Sequence, residues 1–155
     1  EEILATYHGK VPFVKQLMKD TMYKAGKKGY LRTLLGRRCR FDLWEPVNEW
    51  GQKALPLKEA KDEYGEHMIK RAWTYKALNR LIQGSAADMT KQAMLDLYNE
   101  GIVPHIQVHD ELDISVEKGS NQHKKIIEIM EKAVKLNVPN KVDYESGENW
   151  GDIYD

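Results

Sequence analysis

The chain has 155 residues, 41% of them hydrophobic and 31% charged, the length and composition of one globular domain able to bury a core. No apolar run approaches the roughly 18 residues needed to span a bilayer and no leader pattern opens the sequence, so no membrane partner is expected. The lone Cys39 excludes an internal disulfide and a cysteine-based zinc site, which makes a reducing, cytoplasmic setting the expectation.

A net charge of zero hides a gradient. Residues 1–50 carry ten Lys/Arg against six Asp/Glu, residues 51–100 eight against seven, and residues 101–155 six against eleven. That asymmetry suits a polyanion-binding end beside an acidic, metal-seeking end, although scattered solvated charge gives the same counts. The opening EEILATYHGK has no Met, as in a processed or excised piece. Next, VPFVKQLMKDTMYKAGKKG predicts a helix with Pro12 in its first turn. Its apolar stripe is Phe13, Val14, Leu17, Met18 and Met22, and Gly26 or Gly29 is the stop. GYLRTLLGRRCRF predicts two short strands about a turn at Gly36. From Leu43 to about Tyr64, Pro46, Pro56 and the lack of a clean period predict a surface loop or insertion.

Residues 66 to about 82 predict a helix. SAADMTKQAMLDLYNEG predicts another, from Ser85 to Gly101, with Ser85 and Asp88 in a capping pattern. After a hairpin, NQHKKIIEIMEKAVKLN is amphipathic on Ile126, Ile127, Ile129, Met130, Ala133 and Val134. KVDYES reads as a last strand and GENWGDIYD as a tail. The order implies an α+β fold, a small antiparallel sheet packed against several helices.

Three constellations carry chemistry. The first is HIQVHDELDISV, whose strict alternation predicts a hairpin but puts Asp110 in the apolar register. A two-residue loop, His109-Asp110, would pair Val108 with Glu111 and Ile106 with Asp113, mixing apolar and acidic residues on each face. A three-residue loop, residues 109–111, pairs Val108 with Leu112 and Ile106 with Ile114, keeps one face apolar, and is the expected turn. That turn brings Asp110 to the tip instead of into the core. An Asp in a turn needs no further role, but three ionisable residues at one tip, with Asp113 behind, suit a hard divalent cation. The second is residues 21–41, which hold Lys24, Lys27, Lys28, Arg32, Arg37, Arg38 and Arg40 without one acid. A solvated face normally mixes signs, so polyanion contact is favoured, with Arg37 and Arg38 as a phosphate clamp. The third is YKALNRLIQGSAAD. Asn79 and Gln83 lie four apart on one helix face with Lys76 and Arg80 nearby, able to read base edges or merely to end a helix before Gly84. Gly84 to Ala87 are small and permit close backbone approach.

In this order the motifs resemble those of family A DNA polymerases, the DNA polymerase I type, and a phage-like member best suits the departures below. QVHDE resembles the family's motif C hairpin, NRLIQGSAADMTKQAM the helix that precedes it, GYLRTLLGRRCRF the GYxxTxxGRRR segment, and SGENWGD the C-terminal end. The resemblance implies that Asp110 ligands catalytic Mg²⁺, that Glu111 supports the site, and that His109 contacts the primer terminus. It implies that Asn79 and Gln83 read the minor groove of primer-template DNA, and that Arg37 and Arg38 are basic residues of the fingers side. It makes residues 1–70 the end of the fingers, with the basic segment and an insertion loop, and residues 71–155 the C-terminal palm. Tyr75 stands where the bacterial pattern has Arg, four residues before the Asn, and with Lys76 and Arg80 completes the DNA-facing set. The stretch from Leu43 to Glu66 is longer than the bacterial version.

Two family features have no match. Motif A, D-Y-S-x-x-E, would supply the second metal-bridging aspartate. The fingers helix R-x₃-K-x₇-Y-G would grip deoxynucleoside triphosphates; Tyr64-Gly65 offers its end, but Pro56 occupies the lysine position. The expectation is a portion of a DNA-directed DNA polymerase, inactive without an N-terminal polymerase segment, acting in the cytoplasm, or in the host cytoplasm if phage-encoded. The alternatives are a non-catalytic primer-template-binding module or split-polymerase subunit, and a metal-dependent phosphohydrolase using His109 and Asp110 with His8, His67, His105 or His123.

Overall fold

In the computed structural model, which describes residues 2–49 and 51–153, a short helix α1 (Glu2–Lys10) leads into α2 (Pro12–Lys28). Pro12 suits the start of α2 because its fixed φ is helical and its missing N–H lacks a helical partner there anyway. Gly29 stops it at φ +75, its N–H bonded to the Ala25 carbonyl. The helix buries Thr21 and Ala25. Of the expected stripe only Met22 packs against the core, and Phe13 remains 67% exposed.

Strands β1 (Tyr30–Arg32) and β2 (Arg38–Arg40) form an antiparallel hairpin pairing Tyr30 with Arg40, Leu31 with Cys39 and Arg32 with Arg38. The Thr33 N–H reaches the Arg37 carbonyl at 2.9 Å, leaving Leu34-Leu35-Gly36 as the loop. Gly36 sits at φ +88, the left-handed residue such a three-residue loop requires. Leu31 turns inward to a core of Ala25, Phe41 and Ala77, joined by Cys39 and Leu81.

The stretch expected as a loop is structured. β3 (Leu43–Pro46), β4 (Leu55–Pro56) and β5 (Ile69–Arg71) form an antiparallel sheet of order β4-β3-β5, and α3 (Leu57–Tyr64) follows β4. Its prolines fit because each sits at a strand end, Pro56 on the edge strand, where a missing N–H costs little. Trp44 opposes Arg71, whose guanidinium stacks 4.6 Å from the indole. The same sheet corrects the helix expected from residue 66: Ile69–Arg71 is a strand, Thr74–Lys76 a 3-10 turn, and α4 runs Ala77–Asn99.

Gly84 does not break α4. A Cβ there would lie 3.1 Å from Thr33 Cγ2 and 3.2 Å from Cys39 Sγ, so the missing side chain lets the β1–β2 hairpin lie against the helix. Ser85, expected to cap a new helix, donates back to the Leu81 carbonyl at 2.7 Å and accepts the Leu34 N–H at 3.0 Å. Gly84→Val should therefore lower stability by about 2 kcal/mol through overpacking, against a gain of only a few tenths in helix propensity. A urea unfolding midpoint equal to that of the unaltered chain would contradict it.

Two compact units divide the chain, Glu1–Ser85 and Ala86–Asp155, with the boundary inside α4. In the second, β6 (Ile106–Val108) and β7 (Glu111–Asp113) pair antiparallel, and α5 (Gln122–Lys132) follows. The core is Leu97, Ile102 and Ile126, with Leu112, Ile114, Ile129 and Met130 packed on it. α5 ends earlier than expected, though Val134 beyond it is buried.

The hairpin register differs from the expected one. Ile106 opposes Asp113, Gln107 opposes Leu112 and Val108 opposes Glu111, so the loop is the two residues His109-Asp110. The expected register assumed that both strands contribute an apolar face. Only the β7 side does: Leu112, and Ile114 just past the strand, pack inward, while Ile106 and Val108 stay exposed at 46% and 39%. Without an apolar pair to preserve, turn geometry decides, and a two-residue loop opening at positive φ matches the strand twist. His109 has φ +53. KVDYES forms no strand among the described residues; Val142 N–H and Lys141 Nζ instead reach the Glu131 carboxylate at 3.3 Å each.

Candidate functional site

Asp110 and Glu111 are both exposed at the β6–β7 tip. The turn is braced from within, Gln107 Nε2 donating to the His109 carbonyl at 2.6 Å, and the ladder continues below it through the His105 N–H to the Asp113 carbonyl at 2.9 Å. Asp110 makes no hydrogen bond or ion pair among the described residues. Two adjacent carboxylates on a braced tip offer hard oxygen donors of the kind Mg²⁺ takes, but fewer than its six-oxygen shell needs. Among the described residues no group of three or more His, Cys, Asp or Glu is placed to hold a metal. The donors therefore fit such an ion as part of a larger set.

Asp113 lies on the same strand face as Glu111, and its Oδ2 is buried without a hydrogen-bond partner among the described residues. It lines a groove of about 920 Å³ together with His105, Met89, His123 and Tyr144. There His123 stacks on Tyr144 with ring centroids 4.9 Å apart. Of the other histidines considered as ligands, His67 belongs to the first unit, and the side chain of His8 lies outside the described residues.

In the first unit, Asn79 and Gln83 are both exposed on α4. Tyr75 is 57% exposed, with Lys76 Nζ 5.6 Å from its ring. Arg80 turns toward the protein, its guanidinium 5.1 Å from the Phe41 ring and Nη1 donating to the Arg40 carbonyl at 3.2 Å. Arg37 and Arg38, expected to act together, point apart: Arg37 Nη2 donates to the Gly84 carbonyl at 2.9 Å, whereas Arg38 stacks on Tyr30 at 4.9 Å. Tyr30 and Arg32 share a face with Arg38, and the signal for this in the sequence is the alternation of YLR and RCR about Gly36.

The sequence model of DNA polymerase family A matches residues 1–152. The chain belongs to that family. It is 40% identical over 151 residues to a DNA-directed DNA polymerase of Pseudomonas phage M6, covering 97% of this chain and 19% of the phage protein. It is 35% identical over 159 residues to DNA polymerase I of Geobacillus stearothermophilus, covering 97% of this chain and 16% of that protein. Among solved structures it resembles the polymerase domain of Pol1 from M. smegmatis in complex with DNA primer-template and dNTP, with a TM-score of 0.64 and 29% identity over 88% of this chain and 22% of that one. The chain thus spans about a fifth or less of the length of these relatives. Family A polymerases generally use divalent metal ions, and the mix of helices with small antiparallel sheets expected from the sequence agrees with the polymerase-domain likeness.

Proposed function

We propose that this chain is the part of a DNA-directed DNA polymerase that carries motif C, and that the complete protein extends a primer 3′ end by nucleotidyl transfer. The observation that carries the reading is the braced His109-Asp110 turn, which holds Asp110 exposed, beside Glu111, and without a hydrogen-bond or ion-pair partner among the described residues. In this reading Asp110 is a metal ligand, Glu111 supports it, and His109 meets the primer terminus. Bound Mg²⁺ would supply charge neutralisation for the transferring phosphoryl group. Asn79 and Gln83 read the minor groove of primer-template DNA, and Tyr75, Lys76, Arg37, Arg38 and Arg80 line or support that surface. Residues 1–70 are the end of the fingers and residues 71–155 the C-terminal palm. The 155 residues alone hold one of the two bridging aspartates and do not polymerise; a segment supplying motif A and the triphosphate-gripping helix completes the site.

Primer extension tests this directly. The chain should be silent alone and active when the upstream segment is joined to it or added in trans. In the active form, Asn79→Ala with Gln83→Ala should weaken primer-template binding about thirtyfold, from two lost base-edge contacts at about 1 kcal/mol each. Extension by the chain alone, or unchanged affinity in the double variant, would count against the assignment.

A further inference from the structure

Because Leu31 and Cys39 face the core, strand alternation turns Tyr30, Arg32, Arg38 and Arg40 to the opposite face of the β1–β2 hairpin. Tyr30 is half-buried and the three arginines are exposed. The register sets Arg32 directly opposite Arg38, and like charges so placed repel. Among the described residues none of the three arginines forms an ion pair. What holds them is the Tyr30 ring, 4.9 Å from the Arg38 guanidinium and 5.9 Å from that of Arg32, together with a 2.8 Å hydrogen bond from Arg32 Nη1 to the Gly36 carbonyl. A tyrosine holding two uncompensated guanidinium groups side by side is an anion site organised before its anion arrives.

We propose that this hairpin face clamps the sugar-phosphate backbone of a nucleic acid, Arg32 and Arg38 gripping one phosphate and Arg40, about 7 Å further along β2, the next. Tyr30 is the positioning residue. The proposal rests on the polymerase reading, and it replaces the Arg37–Arg38 pair suggested by the sequence, since Arg37 is engaged with Gly84. A phosphodiester backbone suits the face because planar guanidinium forks match phosphate oxygens two at a time, and its charges recur at regular intervals along one line, as Arg38 and Arg40 do along β2.

The test is the salt dependence of binding by the complete polymerase, measured by fluorescence anisotropy with blunt duplex, overhanging primer-template, single strand and a deoxynucleoside triphosphate. Arg32→Gln with Arg38→Gln gives up one phosphate contact and should lower the slope of log affinity against log salt by about 1 on the nucleic acids. Between 50 and 200 mM salt the variant should then lose about fourfold less affinity than the unaltered enzyme. Comparison of duplex with single strand identifies which backbone is held, and triphosphate affinity should not change. The variant should melt close to the unaltered protein, because relief of the like-charge pair offsets the lost Arg32–Gly36 hydrogen bond and Tyr30 stacking, and Arg32→Lys with Arg38→Lys should retain the slope. Tyr30→Leu should weaken binding severalfold with Tyr30→Phe restoring it. An unchanged slope in the glutamine variant overturns the clamp, as does a loss confined to the triphosphate. A complete enzyme with no affinity for primer-template would instead overturn the polymerase reading on which the clamp rests.

Discussion

Asp110→Asn in the complete polymerase is expected to slow primer extension about a thousandfold or more, equivalent to about 4 kcal/mol in the barrier, with primer-template affinity within about twofold of normal. Asp110 contributes nothing visible to the fold: it is exposed and has no hydrogen-bond or ion-pair partner among the described residues. The unusual backbone angle of the turn belongs to His109, at φ +53, and not to residue 110. Asparagine has the same shape and is accepted in turns, so the substitution removes charge and leaves the hairpin in place. A neutral amide binds a hard cation less well than a carboxylate, and two-ion phosphoryl transfer depends on negatively charged ligands to hold both ions. The defect should therefore appear in single-turnover extension at saturating nucleotide, and the Mg²⁺ concentration needed for half-maximal rate should rise. Glu111→Gln should cost less if, as proposed, its part is to support Asp110. Extension within tenfold of normal for Asp110→Asn would remove Asp110 from the chemistry.

That Asp110 stands at a hairpin tip was legible from alternation alone, but the register was not. Alternation in HIQVHDELDISV reports which residues could share a face; it does not say that Ile106 and Val108 lack a covering partner within this chain. Without that partner the geometry of the turn outweighs the pattern of apolar residues. The opposite happened around residues 43–71. There the strands are two to four residues long and two of the three end in proline, too short to show a period, and their stability comes from contacts distant in sequence, such as Trp44 with Arg71. Gly84 misled for a third reason. Glycine in a helix pattern normally weakens it, and only the hairpin packed against it shows why it belongs there. The amide pair was legible because its signal is local: Asn79 and Gln83 are four residues apart on α4, and both are exposed. Arg37 and Arg38 adjoin in sequence, yet neighbours on a strand point to opposite faces, and the structure sends one to a helix backbone and the other to a tyrosine.

Arg71 joins three parts of the first unit, and Gly29→Ala should expose how much depends on it, lowering stability by about 3 kcal/mol. Arg71 Nη1 donates to the Phe41 carbonyl at 2.7 Å while its guanidinium lies on Trp44; the Phe41 N–H in turn reaches the Gly29 carbonyl at 2.8 Å. Gly29 ends α2 at φ +75, a conformation that costs alanine about 1 kcal/mol or more. Its Cβ would also fall 2.6 Å from Arg71 Cζ, closer than nonbonded atoms can sit, so the guanidinium must leave. Leaving breaks the bond to Phe41 and the stacking on Trp44, and uncovers a buried carbonyl at about 1–3 kcal/mol. The two costs can be separated. Arg71→Met removes the clash but keeps a long side chain over Trp44, so in that background Gly29→Ala should cost only the backbone part, leaving a coupling of about 2 kcal/mol in a double-mutant cycle. Urea unfolding followed by tryptophan fluorescence provides the measurement. Strictly additive effects would show that Gly29 acts through its backbone angle alone and that Arg71 does not tie the end of α2 to the sheet.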